Sequence, residues 1–113
     1  MSGTPRFSSF EEFWPFYVGQ HAKPATRWLH LVGTSGGIVI LAAAAVSRRP
    51  ALLAAAAAFA YGLAWFSHFA IEKNCPATFT HPWWSLRGDF RMIRLTLSFR
   101  MSREAARVLA VRT

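Results

Sequence analysis

The chain has a single cysteine, Cys75, which excludes an internal disulfide and any zinc site built from cysteine pairs. Acidic residues are also scarce, with five Asp and Glu against thirteen Lys and Arg and a formal net charge of +8. Charged residues of both signs make up only 16% of the chain, whereas 53% is hydrophobic, a balance that leans towards a membrane and away from a water-soluble globule. The basic residues flank apolar runs instead of interleaving with a polar surface, and no nucleic-acid-binding motif is present. The positive charge therefore points to anionic lipid headgroups and not to nucleic acid. No HExxH pair and no internal repeat occurs. Residues 1–20 are aromatic and acidic, without a basic segment leading into an apolar core, so a cleavable signal peptide is not expected. At 113 residues the chain has room for one domain.

What the sequence does contain is two long apolar runs. Between Trp28 and Ser47 the only ionisable residue is His30, and roughly 20 residues is the length of one spanning helix. Arg48-Arg49-Pro50 breaks the pattern. A second run follows to Ile71, with His68 as its only ionisable residue. A soluble helical hairpin is the alternative, but both runs are apolar on every face, and two helices alone cannot hide such surfaces from water. The expected fold is all-α: one integral-membrane domain over residues 1–113, a hairpin of spans at 28–47 and 50–72 with interfacial helices at 9–20 and 85–100.

The flanks carry their own signals. Ser9 and Glu12 have capping-box spacing, and Phe10, Phe13, Trp14, Phe16 and Tyr17 crowd the helix they open, which Pro15 should kink or interrupt. Such an aromatic segment suits the membrane interface. A later helix starts near Ser85, where Leu86, Phe90, Ile93 and Leu97 form an apolar stripe beside Arg87, Arg91 and Arg94. One more short helix fits residues 102–111. Within the spans, Gly33 and Gly37 stand at GxxxG spacing on the face of His30, and Ala57, Ala60, Ala64 and His68 form a second small-residue stripe. If these faces meet, both histidines point into the helix pair.

A two-span hairpin returns the chain to the side from which it started. His21 and His30 lie at the beginning of the first span, and His68 and His81 at the end of the second, so all four converge on one membrane face. Lys23, Arg27, Lys73, Arg87 and Arg91 lie on that side, against Arg48 and Arg49 in the loop. This bias places the histidine side and both termini in the cytoplasm. Neutral imidazoles suit iron, zinc, copper or nickel, and three such ligands with open positions suit a catalytic metal. Glu72, four residues after His68, could ligate, orient an imidazole or act as a base. Asp89 is a further carboxylate candidate, with a first-turn helix-dipole role as its alternative. Each histidine alone has a structural explanation; their convergence carries the metal hypothesis.

Longer strings then become recognisable: Phe16-Tyr17-x-x-Gln20-His21-x-x-Pro24-x-x-Arg27-x-x-His30-x-x-Gly33-Thr34, Tyr61-Gly62-x-Ala64-Trp65-x-x-His68-x-x-x-Glu72-Lys73-Asn74-x-Pro76-Ala77-Thr78-Phe79, and Pro82-x-Trp84-Ser85-Leu86-x-Gly88-Asp89-Phe90-x-Met92. Together they closely resemble the metabolism-of-phytosphingosine family of small membrane proteins. The resemblance implies an Fe(II)-dependent dioxygenase that shortens 2-hydroxy fatty acids by one carbon, with membrane lipids, the hydroxy acid and O2 as partners. It implies His21, His30 and His68 as iron ligands, with His81 a weaker candidate. It also directs attention to Glu72, Lys73 and Asn74 for catalysis, and to Arg27, Lys73, Tyr61 and Arg87 for holding substrate. Cys75 stands where the family more often has arginine. The implied location is the inner membrane of a bacterium or the endoplasmic reticulum of a eukaryote, with a homo-oligomer open. Two alternatives remain: a haem protein with His30 and His68 as axial ligands, and a lipid-binding membrane protein without catalysis.

Overall fold

Proline sets the start of the longest helix. The structure, a computed structural model, describes residues 6–112, and its helix α2 runs Pro24–Ser47 with proline in the first turn, where a missing N–H costs nothing. The N-cap residue Lys23 offers no side-chain cap; instead its N–H donates to the Glu72 carboxylate at 2.8 Å. At the far end Arg48 turns left-handed (φ 57°) and returns its N–H to Ala44, closing α2 without a glycine. Helix α3 follows at Ala51–Phe66 and continues through a π-helical turn, Ser67–Glu72. The two continuous helices, Pro24–Ser47 and Ala51–Glu72, are both long and apolar enough to cross a membrane.

Their contact is made by small residues. A Cβ added at Gly33 would lie 3.1 Å from the Ala60 carbonyl oxygen, and one at Gly37 would lie 3.1 Å from the Ala60 Cβ. Glycine at both positions therefore permits a backbone approach that any side chain would crowd. The face of α3 that meets α2 carries Ala56 and Ala60, and not the expected Ala57, which is exposed. With alanine at every position from 54 to 58, composition cannot choose between neighbouring faces; the glycines of α2 choose. Away from this seam the rods are bare, with Val39 68% and Val46 87% exposed.

A second group of helices covers the histidine end. Helix α1, Phe10–Gln20, begins with Ser9 accepting the Glu12 N–H at 3.2 Å, while the Glu12 carboxylate reaches back to Ser8. The helix continues through Pro15. Its aromatics are buried in protein: Phe10, Phe13, Trp14, Tyr17 and Val18 pack with Met92 and Leu95 of α4 (Pro82–Leu97) and with Met101, Ala105 and Val108 of α5 (Met101–Arg112). The Trp14 indole N–H donates to Glu104 at 2.8 Å, which ties α1 to α5. Helix α4 starts at Pro82, three residues before the expected Ser85, again with proline in the first turn. Its basic stripe is laid over the aromatics of α1, with Arg87 4.2 Å above the Phe10 ring and Arg91 4.4 Å above Trp14.

Gly33→Leu should force α2 and α3 apart and lower the thermal midpoint in detergent by several degrees, since overpacking costs about 1–3 kcal/mol. Gly62→Ala is the control: nothing lies within 4 Å of the added Cβ, and its midpoint should hold or rise. Circular dichroism melts of both variants decide the point.

Candidate metal centre

Three separate backbone events deliver three imidazoles to one point. His21 is the residue that closes α1, its N–H bonded to the Val18 carbonyl at 3.0 Å. His30 sits in the second turn of α2, on the buried glycine side. His68 lies in the π-helical turn at the end of the second long helix. The ring centroids are 4.5 Å (His21–His30), 4.6 Å (His21–His68) and 5.2 Å (His30–His68) apart, each pair nearly perpendicular. One nitrogen from each ring lies within 4.8 Å of the others, and the residues are 1%, 4% and 2% exposed.

The neighbours of these rings fix which nitrogen carries the proton. The His21 Nδ1 is 2.7 Å from the Tyr17 carbonyl oxygen, which can only accept, so Nδ1 holds the hydrogen and Nε2 the lone pair. His68 Nδ1 is 2.7 Å from Asn74 Oδ1, and the amide is oriented by Nδ2 donating to the Gln20 carbonyl at 3.3 Å. The lone pair of His68 is thus also on Nε2. His30 points its Nδ1 at Asp89 Oδ1, 3.5 Å away. Nε2 of His21 and both ring nitrogens of His30 are buried without a hydrogen-bond partner. Buried acceptors without donors are costly, and a cation among them removes the cost. Three buried histidines, each with a carbonyl, amide or carboxylate oxygen facing the other nitrogen, fit a metal ion with its supporting shell. Burial pushes the His21 imidazole well below its usual range, and the neighbouring His30 and His68 push the same way. The neutral form a metal needs is therefore the resting form.

The π turn explains how His68 is clamped. Both Lys73, left-handed at φ 61°, and Asn74 return their N–H groups to the His68 carbonyl, the latter at 2.9 Å. The Asn74 side chain then folds onto the His68 ring, so one residue holds both backbone and imidazole. A wide turn of this kind recurs at functional sites. It also alters the angular relation of His68 and Glu72 that an α-helix would give. Glu72 Oε2 instead accepts the Lys23 N–H at 2.8 Å and the Thr26 hydroxyl at 2.6 Å, pinning the end of one long helix to the start of the other.

Tyr17 is the hub that sequence reasoning did not single out. Its carbonyl holds His21, its ring stacks on the His21 ring at 4.0 Å and 22°, and its hydroxyl donates to Asp89. Burial, then the charge of Asp89, raises its phenol well above the usual range, so it remains a donor. Gly88 makes room, since a Cβ there would come 2.9 Å from the Tyr17 ring. The available signal was the spacing from Tyr17 to His21, one helical turn. Asp89 lies in the third turn of α4, too deep for a helix-dipole role, and braces His30 instead.

The other expected residues are distributed around this core. His81 stands apart from the trio, its ring parallel to Trp84 at 5.9 Å and its Nδ1 2.8 Å from Thr80 Oγ1. Arg27 is buried and donates from Nη1 to the His21 and Ala22 carbonyls, both at 2.9 Å, so it fastens the loop that carries His21. Lys73 is exposed at the rim, Tyr61 is exposed on α3, and Arg87 lies on Phe10. Cys75 is exposed, and its carbonyl accepts from Gln20 at 3.1 Å. With His30 and His68 rings only 5.2 Å apart and His21 wedged against both, no slot for a planar macrocycle exists between them.

Comparison with curated proteins and with solved structures yields no match. A family model does match, over residues 7–101, a stretch that holds Tyr17, the three clustered histidines, Asn74 and Asp89. The chain belongs to the 2-hydroxy-palmitic acid dioxygenase Mpo1-like family.

Proposed function

We propose that this protein is an Fe(II)-dependent dioxygenase that cleaves 2-hydroxy fatty acids at the membrane surface, with His21, His30 and His68 as the metal ligands. The observation that carries this reading is the trio of buried imidazoles whose outer nitrogens face oxygen atoms and whose lone pairs converge. The family's description supplies the substrate class and the reaction type. Zinc would fit the same donors but has no redox chemistry to offer O2, which favours iron. When bound, ferrous iron would supply O2 activation and a Lewis-acidic position for the hydroxy acid. Atom balance then gives one hydroxy acid and one O2 yielding the acid one carbon shorter, CO2 and water.

The chain's own residues supply position and dryness. The Tyr17 carbonyl and Asn74 hold His21 and His68 in the tautomers that leave Nε2 free, and Asp89 faces His30 Nδ1 at 3.5 Å. The trio is 1–4% exposed, with Tyr17 of α1 and Asp89 of α4 packed around it, which keeps water out. The two apolar helices would sit in the bilayer with the histidine end at the cytoplasmic surface, where the exposed Lys73 could meet a substrate carboxylate. Glu72 and Asn74 act here by positioning, the first through the helix ends and the second through His68.

Three outcomes are expected. Replacing His21, His30 or His68 singly by alanine should abolish iron retention by anaerobically purified protein, whereas His81→Ala should retain it; elemental analysis of all four variants reads this directly. Asn74→Ala and Asp89→Asn should weaken iron affinity by about 10–100-fold without loss of fold, the range for removing a ligand's supporting partner. Reconstituted protein with Fe(II) and O2 should convert 2-hydroxypalmitate to the fifteen-carbon acid. If the substrate is untouched by metal-loaded protein, the lipid-binding reading without catalysis replaces this one.

A further inference from the structure

The seam between the two long helices widens into an apolar groove of about 290 Å³. Its floor is built from small residues, Gly37, Ala56, Ala57, Ala60 and Ala64, and Leu86 and Phe90 of α4 form one lip. Thr34 and Asp89 mark its polar end, and Asp89 is the residue 3.5 Å from the buried, unpartnered His30 Nδ1. Leu41 and Leu53 mark the opposite end. These two residues also line a second cavity, of about 330 Å³, that continues to Arg48, Arg49 and Pro50. They are therefore a partition between two spaces lying in line along the hairpin. From Ala64 back to Leu53 the helical rise is about 16 Å.

We infer that this groove is the acyl-binding site, taking the tail of a long-chain 2-hydroxy acid, with Leu41 and Leu53 setting the chain length it accepts. The inference rests on the dioxygenase reading for the identity of the head group. Among the described residues Asp89 is the one charged group lining the groove and no lysine or arginine lines it, so nothing along its length would hold a phosphate headgroup. A 2-hydroxyl can donate to Asp89 or Thr34, which leaves the acid's head at the mouth of the groove, towards the histidine end. A single chain held by its head in this way would lie along the alanine floor. Ala57, which the sequence pattern placed in the helix contact, is thereby assigned to the groove wall, and Tyr61 stands one turn further along it.

The test uses full-length protein in lipid vesicles and two independent readouts. A 2-hydroxy acid carrying a photoactivatable diazirine at its tail end should label Leu41, Leu53 or Ala57 well above Val39 and Val46, which are more exposed on α2. Ala57→Leu should suppress that labelling and shift relative turnover towards shorter hydroxy acids by at least about tenfold, the scale at which apolar pockets discriminate chain atoms. Leu53→Ala, which removes half of the partition, should shift it towards longer ones. Labelling of Val39 and Val46 as strong as that of the groove, or an unchanged chain-length profile in both variants, overturns the inference. If wild-type protein labels in the groove but consumes no hydroxy acid, the groove stands and the dioxygenase reading falls.

Discussion

The close approach of two backbones at Gly33 and Ala60 is the constraint on which the rest depends. It sets the separation of the helices at the level just below the histidines, and so sets how far His30 is from His68. A side chain at position 33 would press on the Ala60 backbone and on Leu63, in the helix that carries His68. The same contact leaves the apolar outer faces of the helices without protein cover, on helices long and apolar enough to cross a membrane. The spacing of the imidazoles and the bareness of the helices are therefore two results of one packing decision.

Around that contact the protein holds its imidazoles by means that differ for each ring. His21 is held by the carbonyl and the ring of Tyr17, His68 by the amide of Asn74, and His30 by the carboxylate of Asp89, which is itself held by Tyr17. Two of these three supports run through one residue. Imidazoles already fixed by protein contacts would need no reorganisation to receive a cation. Arg27 and Glu72, both charged and both near the trio, are turned away from it and used on the backbone, which keeps the site's own charge low.

Much of this could be read from residue order, and the remainder could not for identifiable reasons. Two uninterrupted apolar runs imply the hairpin, and hairpin topology alone brings His21, His30 and His68 to one end. The exact contact face of α3 was illegible because five consecutive alanines look alike, and only the position of glycine on the other helix breaks the tie. The π turn has no compositional signature, so Glu72 was placed beside His68 by an α-helical rule that the backbone does not follow there. The aromatics of α1 fit a membrane interface as well as a protein core until α5 is in place to bury them. Tyr17 was legible as one aromatic among several; its role as hub depends on Gly88, which is 71 positions away and reveals nothing alone.

The burial of α1 against α4 and α5 has a bearing on how the cluster holds together. His21 comes from a helix packed on segments far along the chain, from Met92 to Val108, whereas His30 and His68 come from the two long helices themselves. The trio therefore exists only where the two halves of the structure meet. Loosening the cap would withdraw one imidazole and leave the other two in place.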